Sequence, residues 1–376
     1  MKTAQRLLGR YSSGREGPTV VVCGGLHGNE PSGVLAAQRV LARLDQDKPP
    51  LRGELVALAG NLGALAANRR FLQSDLNRTW IRDRIAELRR NPNTGNVEER
   101  EMWSLLEMIE ATAARATTPL VVLDLHTTSG KSPPFVLISD RLPNRPIAFA
   151  LPGPVILGLE ETVDGTLLEF LTEEGHRAIV LEGGQHADPA SVDNHEAAIW
   201  LALQAVGALD AANVPDHEQM RRRLRQATKG LPRVVELRHR HTITEGNGFV
   251  MEPGFVGFKP VRQGDLLARH AAGEIRAPVS GRILMPLYQE QGTEGFFIVR
   301  RVSRLWLVLS AALRRLHLHV LLPLLPGVRL DPDNRNALRV NPTIARWFVV
   351  EIFHLFGYRR RRSDGDLLVF SRRRPR

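Results

Sequence analysis

The strongest constraint on this chain is an alternation. Over residues 1–230, short apolar runs rich in β-branched residues take turns with helix-length stretches. The runs are Thr19–Cys23, Glu54–Ala59, Leu120–Leu125, Phe135–Ile138, Val155–Leu157 and Ala178–Leu181. Between them, helices are predicted at Ser32–Leu44, Val97–Ala116, Gly165–Glu174 and Ser191–Leu209. Strands alternating with helices predict an α/β fold, a mostly parallel mixed sheet with helices on both faces. Sites in such folds gather at the carboxyl ends of the strands. The notable polar residues obey that rule: His27 follows the first run, Asn68–Arg78 the second, His126 the third, and Glu182 ends the last.

The pattern changes after a basic helix predicted at Asp216–Thr228. Residues 231–302 carry short alternating segments punctuated by Pro253-Gly254, Gln263-Gly264, Ser280-Gly281 and Gln291-Gly292, the mark of a small all-β domain. Residues 303–376 form a third region, a basic α+β tail. Its stretch Leu305–Leu325 is very apolar but contains Arg314 and Arg315, which would cost roughly +5 to +7 kcal/mol in a bilayer core and argue against a span. Further on, Asn341-Pro342 predicts the start of an apolar helix ending at Gly357, and Tyr358–Arg374 predicts a hairpin turning at Ser363-Asp364-Gly365.

Charge is just as unevenly divided. Residues 300–376 hold 17 arginines against five acids, a net +12, so residues 1–299 sum to −1 within the overall +11. Any attraction to anionic partners therefore belongs to the tail. The tail aromatics predict packing rather than base stacking, which speaks against nucleic acid. Assembly into a homo-oligomer is expected through Thr343–Phe356, apolar on most sides, with contact to an anionic surface as the other reading. The single cysteine, Cys23, forms no internal disulfide and reads as a core residue. With no apolar leader in the first residues, a cytoplasmic location is expected.

Three segments carry chemistry. In CGGLHGNEPSG (Cys23–Gly33), a strand runs into glycines and then presents His27 and Glu30. Imidazole and carboxylate both suit Zn²⁺, although such a pair alone is often just a surface turn. VVLDLHTTSG sets His126 at another strand end as a candidate third ligand. The segment NRRFLQSDLNRTW (Asn68–Trp80) crowds Arg70, Asp75, Asn77 and Arg78 into nine positions. Read plainly it is a solvated charge run. Read chemically, Asn77-Arg78 can clamp a carboxylate, Arg70 can meet an oxyanion and Asp75 can orient a ligand histidine. Glu182, in AIVLEGGQH, is either an ordinary strand-end residue or a general base.

Taken together, these segments resemble the succinylglutamate desuccinylase/aspartoacylase family, a branch of the zinc carboxypeptidase fold. The likeness covers about residues 18–300 and includes EIRAPVSGRILMP (Glu274–Pro286), similar to the family's site-covering β domain. It implies one Zn²⁺ held by His27, Glu30 and His126, with Glu182 as general base and Arg70 polarising the scissile carbonyl. It also implies Asn77 and Arg78 gripping a substrate carboxylate and Asp75 behind His27. The implied reaction is deacylation of a small N-acyl amino acid. Two departures bear on specificity: Thr172 stands where members acting on acidic acyl-amino acids carry a further arginine, and Phe296-Phe297 where some relatives use a tyrosine. A carboxypeptidase, or a tail-driven binding protein on a hydrolase scaffold, are the alternatives.

Overall fold

The fold is a computed structural model that describes residues 5–91, 94–244, 246, 248–332, 334, 336–341, 343–345, 349–364 and 367–372. Apolar strands form first as Leu7–Tyr11 (β1), Arg15–Gly24 (β2), Arg52–Ala59 (β3), Val121–Thr128 (β4), Phe135–Ile138 (β5), Val155–Leu157 (β6), Arg177–Gln185 (β7) and Val234–Thr242 (β8). The helices among them are Ser32–Asp47 (α1), Leu62–Ala67 (α2), Arg82–Arg90 (α3), Val97–Ala113 (α4), Arg145–Ala150 (α5), Leu167–Glu173 (α6), Ala190–Ala205 (α7) and His217–Ala227 (α8). The β-rich stretch adds Val250–Met251 (β9), Pro260–Val261 (β10), Leu266–His270 (β11), Gly273–Arg276 (β12), Gly281–Leu284 (β13) and Glu294–Arg301 (β14).

One sheet of eleven strands runs β1-β3-β2-β4-β7-β5-β6-β8-β14-β13-β10. Its centre, β3-β2-β4-β7, is parallel, whereas β5 runs antiparallel to β7, so the sheet is mixed. Helices cover both faces, as near-continuous apolar strands require. Val21 and Cys23 of β2 join Val122 of β4 and Val180 of β7 in a core with Met102, Leu105 and Ile109 of α4 and Leu168 and Leu171 of α6. Side chains alternate along a strand, and the opposite face of β2, at Gly24, abuts Gly33 and Val34 of α1. Helix α7 packs beside α1.

By internal contact the chain divides into two compact units, Met1–Ser139 with Pro143–Arg300, and Asp140–Leu142 with Arg301–Arg376. The stretch expected as a separate β domain at 231–302 is indeed all-β. It is not a third unit, because β8, β14, β13 and β10 prolong the main sheet. Only β12-β11-β9 form a small sheet of their own. Backbone ladders continued across the expected boundary merge what composition had separated.

The second unit has its own order: Arg304–Arg315 (α9), Val328–Leu330 (β15), Ala337–Val340 (β16), Val349–Leu355 (α10), Tyr358–Asp364 (β17) and Leu367–Arg372 (β18). An antiparallel sheet β15-β16-β18-β17 closes over Leu338, Val340, Phe353, Tyr358 and Phe370. The expected helix from Asn341-Pro342 begins later; Pro342 and residues 346–348 lie outside the described residues, as does the hairpin's turn at Gly365. Phe353 and Leu355 of α10 are buried in this unit's own core. The exposed apolar face is on α9 and the turn after it, at Leu305, Val308, Leu316, Val320 and Leu324. Among the described residues, no single helix is long and apolar enough to cross a membrane.

Candidate active site

The loop after β2 is shaped by close backbone approach. A Cβ on Gly28 would lie 2.0 Å from the Ala64 carbonyl carbon, so only glycine fits there. The Gly28 N–H donates to Arg70 O at 3.2 Å, which ties this loop to the one after β3. The turn buries His27 and Glu30 together, with His27 Nδ1 2.9 Å from Glu30 Oε1.

Period-two alternation supplies the rest of the cluster. Val122, Asp124 and His126 share one face of β4, and Ala178, Val180 and Glu182 share the same face of β7. His126 and Glu182 are direct register partners. Both lie inside their strands rather than past the ends expected from sequence, because β4 continues to Thr128 and β7 to Gln185. The other face is equally specified. A Cβ on Gly183 would sit 2.6 Å from the buried His195 ring, whose Nε2 lies 2.9 Å from the His126 carbonyl. His195 thus supports the strand that carries His126.

His126 Nδ1 lies 3.1 Å from Glu30 Oε2, and its Nε2 lies 3.0 Å from Asp124 Oδ2. His27 repeats the arrangement, with Nε2 3.0 Å from Asp75 Oδ1. Each imidazole therefore turns one nitrogen to Glu30 and the other to an aspartate. One ligand atom each from His27, Glu30 and His126 all lie within 4.8 Å of one another. Two imidazole nitrogens and a carboxylate oxygen suit Zn²⁺, and three protein ligands leave a position open. The donor set fits.

The loop after β3 is held by a residue that the sequence did not single out. Glu98, fully buried in the first turn of α4, accepts from the backbone N–H groups of Leu72 (2.6 Å), Gln73 (3.1 Å) and Ser74 (3.1 Å). Beyond that anchor, Asp75 accepts from Asn77 N at 2.9 Å and from Arg70 Nη2 at 3.0 Å while facing His27. Asn77 Oδ1 accepts from Leu167 N at 2.9 Å, and Arg78 Nη2 donates to Glu294 at 3.0 Å. The clamp expected of Asn77 with Arg78 is thus partly engaged already: the asparagine carbonyl caps α6, which leaves its amide nitrogen and the guanidinium.

A cavity of about 130 Å³ is lined by His27, Glu30, Arg70, Asn77, Arg78, His126 and Glu182 among others. Three buried atoms of these residues lack any hydrogen-bond partner: Glu182 Oε2, Arg70 Nε and Arg78 Nε. Burial pushes the Glu182 carboxyl up to about 8, opposed by His126 and Arg70 and reinforced by Glu30 and Asp124. Burial would also raise Glu30, but His27 and His126 hold it well below the usual carboxylate range. Asp75 is likewise held low against burial, by His27 and Arg70. One site thus keeps carboxyls of very different proton affinity.

Some expected residues are absent from this cavity and some unexpected ones are present. Thr172 is buried on α6 but does not line it, nor do His176 and Arg177. His186 does line it, with Nδ1 2.7 Å from Thr127 Oγ1 and Nε2 3.1 Å from Gln289 Oε1. Asp124 had a readable signal, since a carboxylate two residues before a strand histidine shares its face. Glu98 had none, as it looks like any first-turn acid beside the capping box of Asn96 and Glu99.

Comparisons with known proteins bear on the family and the fold. The family model for the succinylglutamate desuccinylase/aspartoacylase catalytic domain matches residues 16–205. A probable aspartoacylase of Parasynechococcus marenigrum (strain WH8102) is 31% identical over 172 residues, 44% of this chain and 52% of that protein. The chain thus spans about half the length of that curated relative. Among solved structures, the product-bound ectoine utilization protein EutE (DoeB) from Ruegeria pomeroyi superposes with a TM-score of 0.55 at 19% identity, over 78% of this chain and 87% of that one. The succinylglutamate desuccinylase from Vibrio cholerae gives a TM-score of 0.57 at 18% identity, over 77% and 82%. At these identities the structures speak for the fold, while the domain match spans just over half of the residues. The chain belongs to the succinylglutamate desuccinylase/aspartoacylase family.

Proposed function

We propose that this chain is a zinc-dependent amidohydrolase that releases an amino acid from a small N-acyl amino acid. The observation that carries the reading is the His27–Glu30–His126 cluster beside a buried, unpartnered Glu182 oxygen in one cavity. Asp75 and Asp124 each accept an N–H from the far side of a histidine ring, which fixes the tautomer and leaves Nδ1 free to ligate. Bound at His27, Glu30 and His126, Zn²⁺ would supply Lewis acidity and lower the pKa of a water molecule.

Glu182 is the proton carrier. Its unpartnered oxygen takes a proton from the attacking water and returns it to the departing nitrogen. Arg70, fixed by Asp75, offers its remaining N–H to the oxyanion that develops on the carbonyl. Arg78, steadied by Glu294, takes the substrate carboxylate through its open N–H. The test is a screen of N-acyl amino acids against zinc-loaded protein with metal content measured in parallel. Hydrolysis that tracks bound zinc supports the reading, and zinc-replete protein inert on every acyl-amino acid rejects it.

The second unit has a different proposed role. Residues 300–330 hold six arginines and no acid and expose Leu305, Val308 and Leu324, while Arg314 is turned inward to Asp140. An apolar face among cationic side chains matches the interface of an anionic bilayer. We therefore assign this face to an anionic membrane surface rather than to a second, equally cationic copy.

A further inference from the structure

The cavity that holds Glu182 has an apolar wall. Leu137, Leu159, Val163, Leu168, Val180 and Phe297 line it. Five of them belong to the main core cluster and are 3–6% exposed, so the reactive site opens directly into the hydrophobic interior. Val180 lies two residues before Glu182 on the same strand face, and Leu137 is its register partner across β5 and β7. At the rise of an extended strand, the wall begins roughly 7 Å from the base.

The wall is also tied to the carboxylate grip. Leu167 N–H donates to Asn77 Oδ1 at 2.9 Å, and Trp80 N–H donates to Gly165 O at 3.1 Å. These bonds fasten the segment bearing Val163 and Leu168 to Asn77-Arg78. Arg78, Val163 and Leu168 thus line one cavity on segments tied to each other, so a carboxylate held by Arg78 shares its space with the apolar wall.

Charge closes the argument. The two guanidiniums that line the cavity, Arg70 and Arg78, are each already bonded to an acid, Asp75 and Glu294. One substrate carboxylate finds the open N–H of Arg78, whereas a second, on the side chain, would meet the apolar wall. An unpaired carboxylate in apolar surroundings is excluded or neutralised.

We propose that the amino acid released by this chain carries an uncharged hydrocarbon side chain in place of an acidic one. This rests on the amidohydrolase reading above and adds the substrate class. The experiment measures kcat/KM of the zinc-loaded full-length protein on N-acetylleucine, N-acetylaspartate and N-hexanoylaspartate. The first two share an acyl group and differ only in side chain. A preference of about 100-fold or more for the leucine derivative is expected, since even one methylene in an apolar pocket is worth about 10–200-fold. Equal rates, or a preference for N-acetylaspartate, overturn the proposal while leaving the amidohydrolase reading intact. N-hexanoylaspartate as the best substrate overturns it too, by giving the wall to the acyl half. Inert protein on all three rejects both readings. Val163→Thr, close to isosteric, should lower the ratio of N-acetylleucine to N-acetylalanine turnover by threefold or more at full zinc occupancy. An unchanged ratio counts against the proposal.

Discussion

The two units of this chain treat polar and apolar groups in opposite ways. The first carries almost no net charge through residue 299, yet buries ionisable side chains against one another at the ends of β2, β4 and β7. The second carries +11, from 16 arginines against five acids over residues 301–376 with Asp140 and Arg141 cancelling, yet leaves leucines and valines on α9 in solvent. A buried charge persists only with partners and at a cost in stability, which marks it as a place of chemistry. An exposed apolar face among cations marks a place of contact. The comparison teaches that the proposed chemistry and the proposed contact draw on different units, so each can be tested without the other.

The comparison can be broken most forcefully at the ligands. His27→Ala and His126→Ala should each reduce bound zinc from about one per chain to a small fraction and abolish turnover, read by metal analysis after dialysis. Full occupancy in both variants would move the chemistry elsewhere. Glu182→Gln should keep zinc and fold but lower kcat by about 10²–10⁴-fold, the range of general acid–base catalysis. Near-normal kcat in metal-replete protein would leave Glu182 a structural residue. Arg78→Lys should cost about tenfold or more in kcat/KM on acyl-amino acids and little on an acyl-amine lacking the carboxylate. Equal losses on both would mean that Arg78 serves the fold.

The smallest catalytic effect is expected where the second unit is changed. Val308→Glu with Leu324→Glu should leave kcat/KM within about twofold while reducing cosedimentation with vesicles containing anionic phospholipid, since each change replaces apolar contact with like charge. Unchanged vesicle binding would remove the membrane from this surface. A large loss of turnover would show that the two units are not separable in function.

The gathering of His27, Glu30, His126 and Glu182 was readable because each follows or sits in an apolar run whose direction the alternation fixes. Asp75 beside His27 came from the family resemblance, since no apolar run leads into it. What was not readable depends on partners distant in sequence. Leu137, Val163, Leu168, Val180 and Phe297 look like core residues in any one segment, and only packing shows that they border a void. The apolar faces of α9 and α10 are alike in composition, yet Phe353 and Leu355 are covered by the unit's own sheet while Leu305 and Val308 are not. The expected domain boundary near 231 followed composition, whereas the ladders follow hydrogen bonds across it.

Glu98 grips the loop after β3 by the backbone amides of residues 72–74, not by their side chains. Every amino acid except proline brings the same N–H to that carboxylate. The side chains of Gln73 and Ser74 add bonds from Val97 N–H and Asn96 Nδ2, but the anchor itself is blind to side-chain identity, so the segment leading into Asp75, Asn77 and Arg78 keeps its hold on Glu98 through any substitution there except proline.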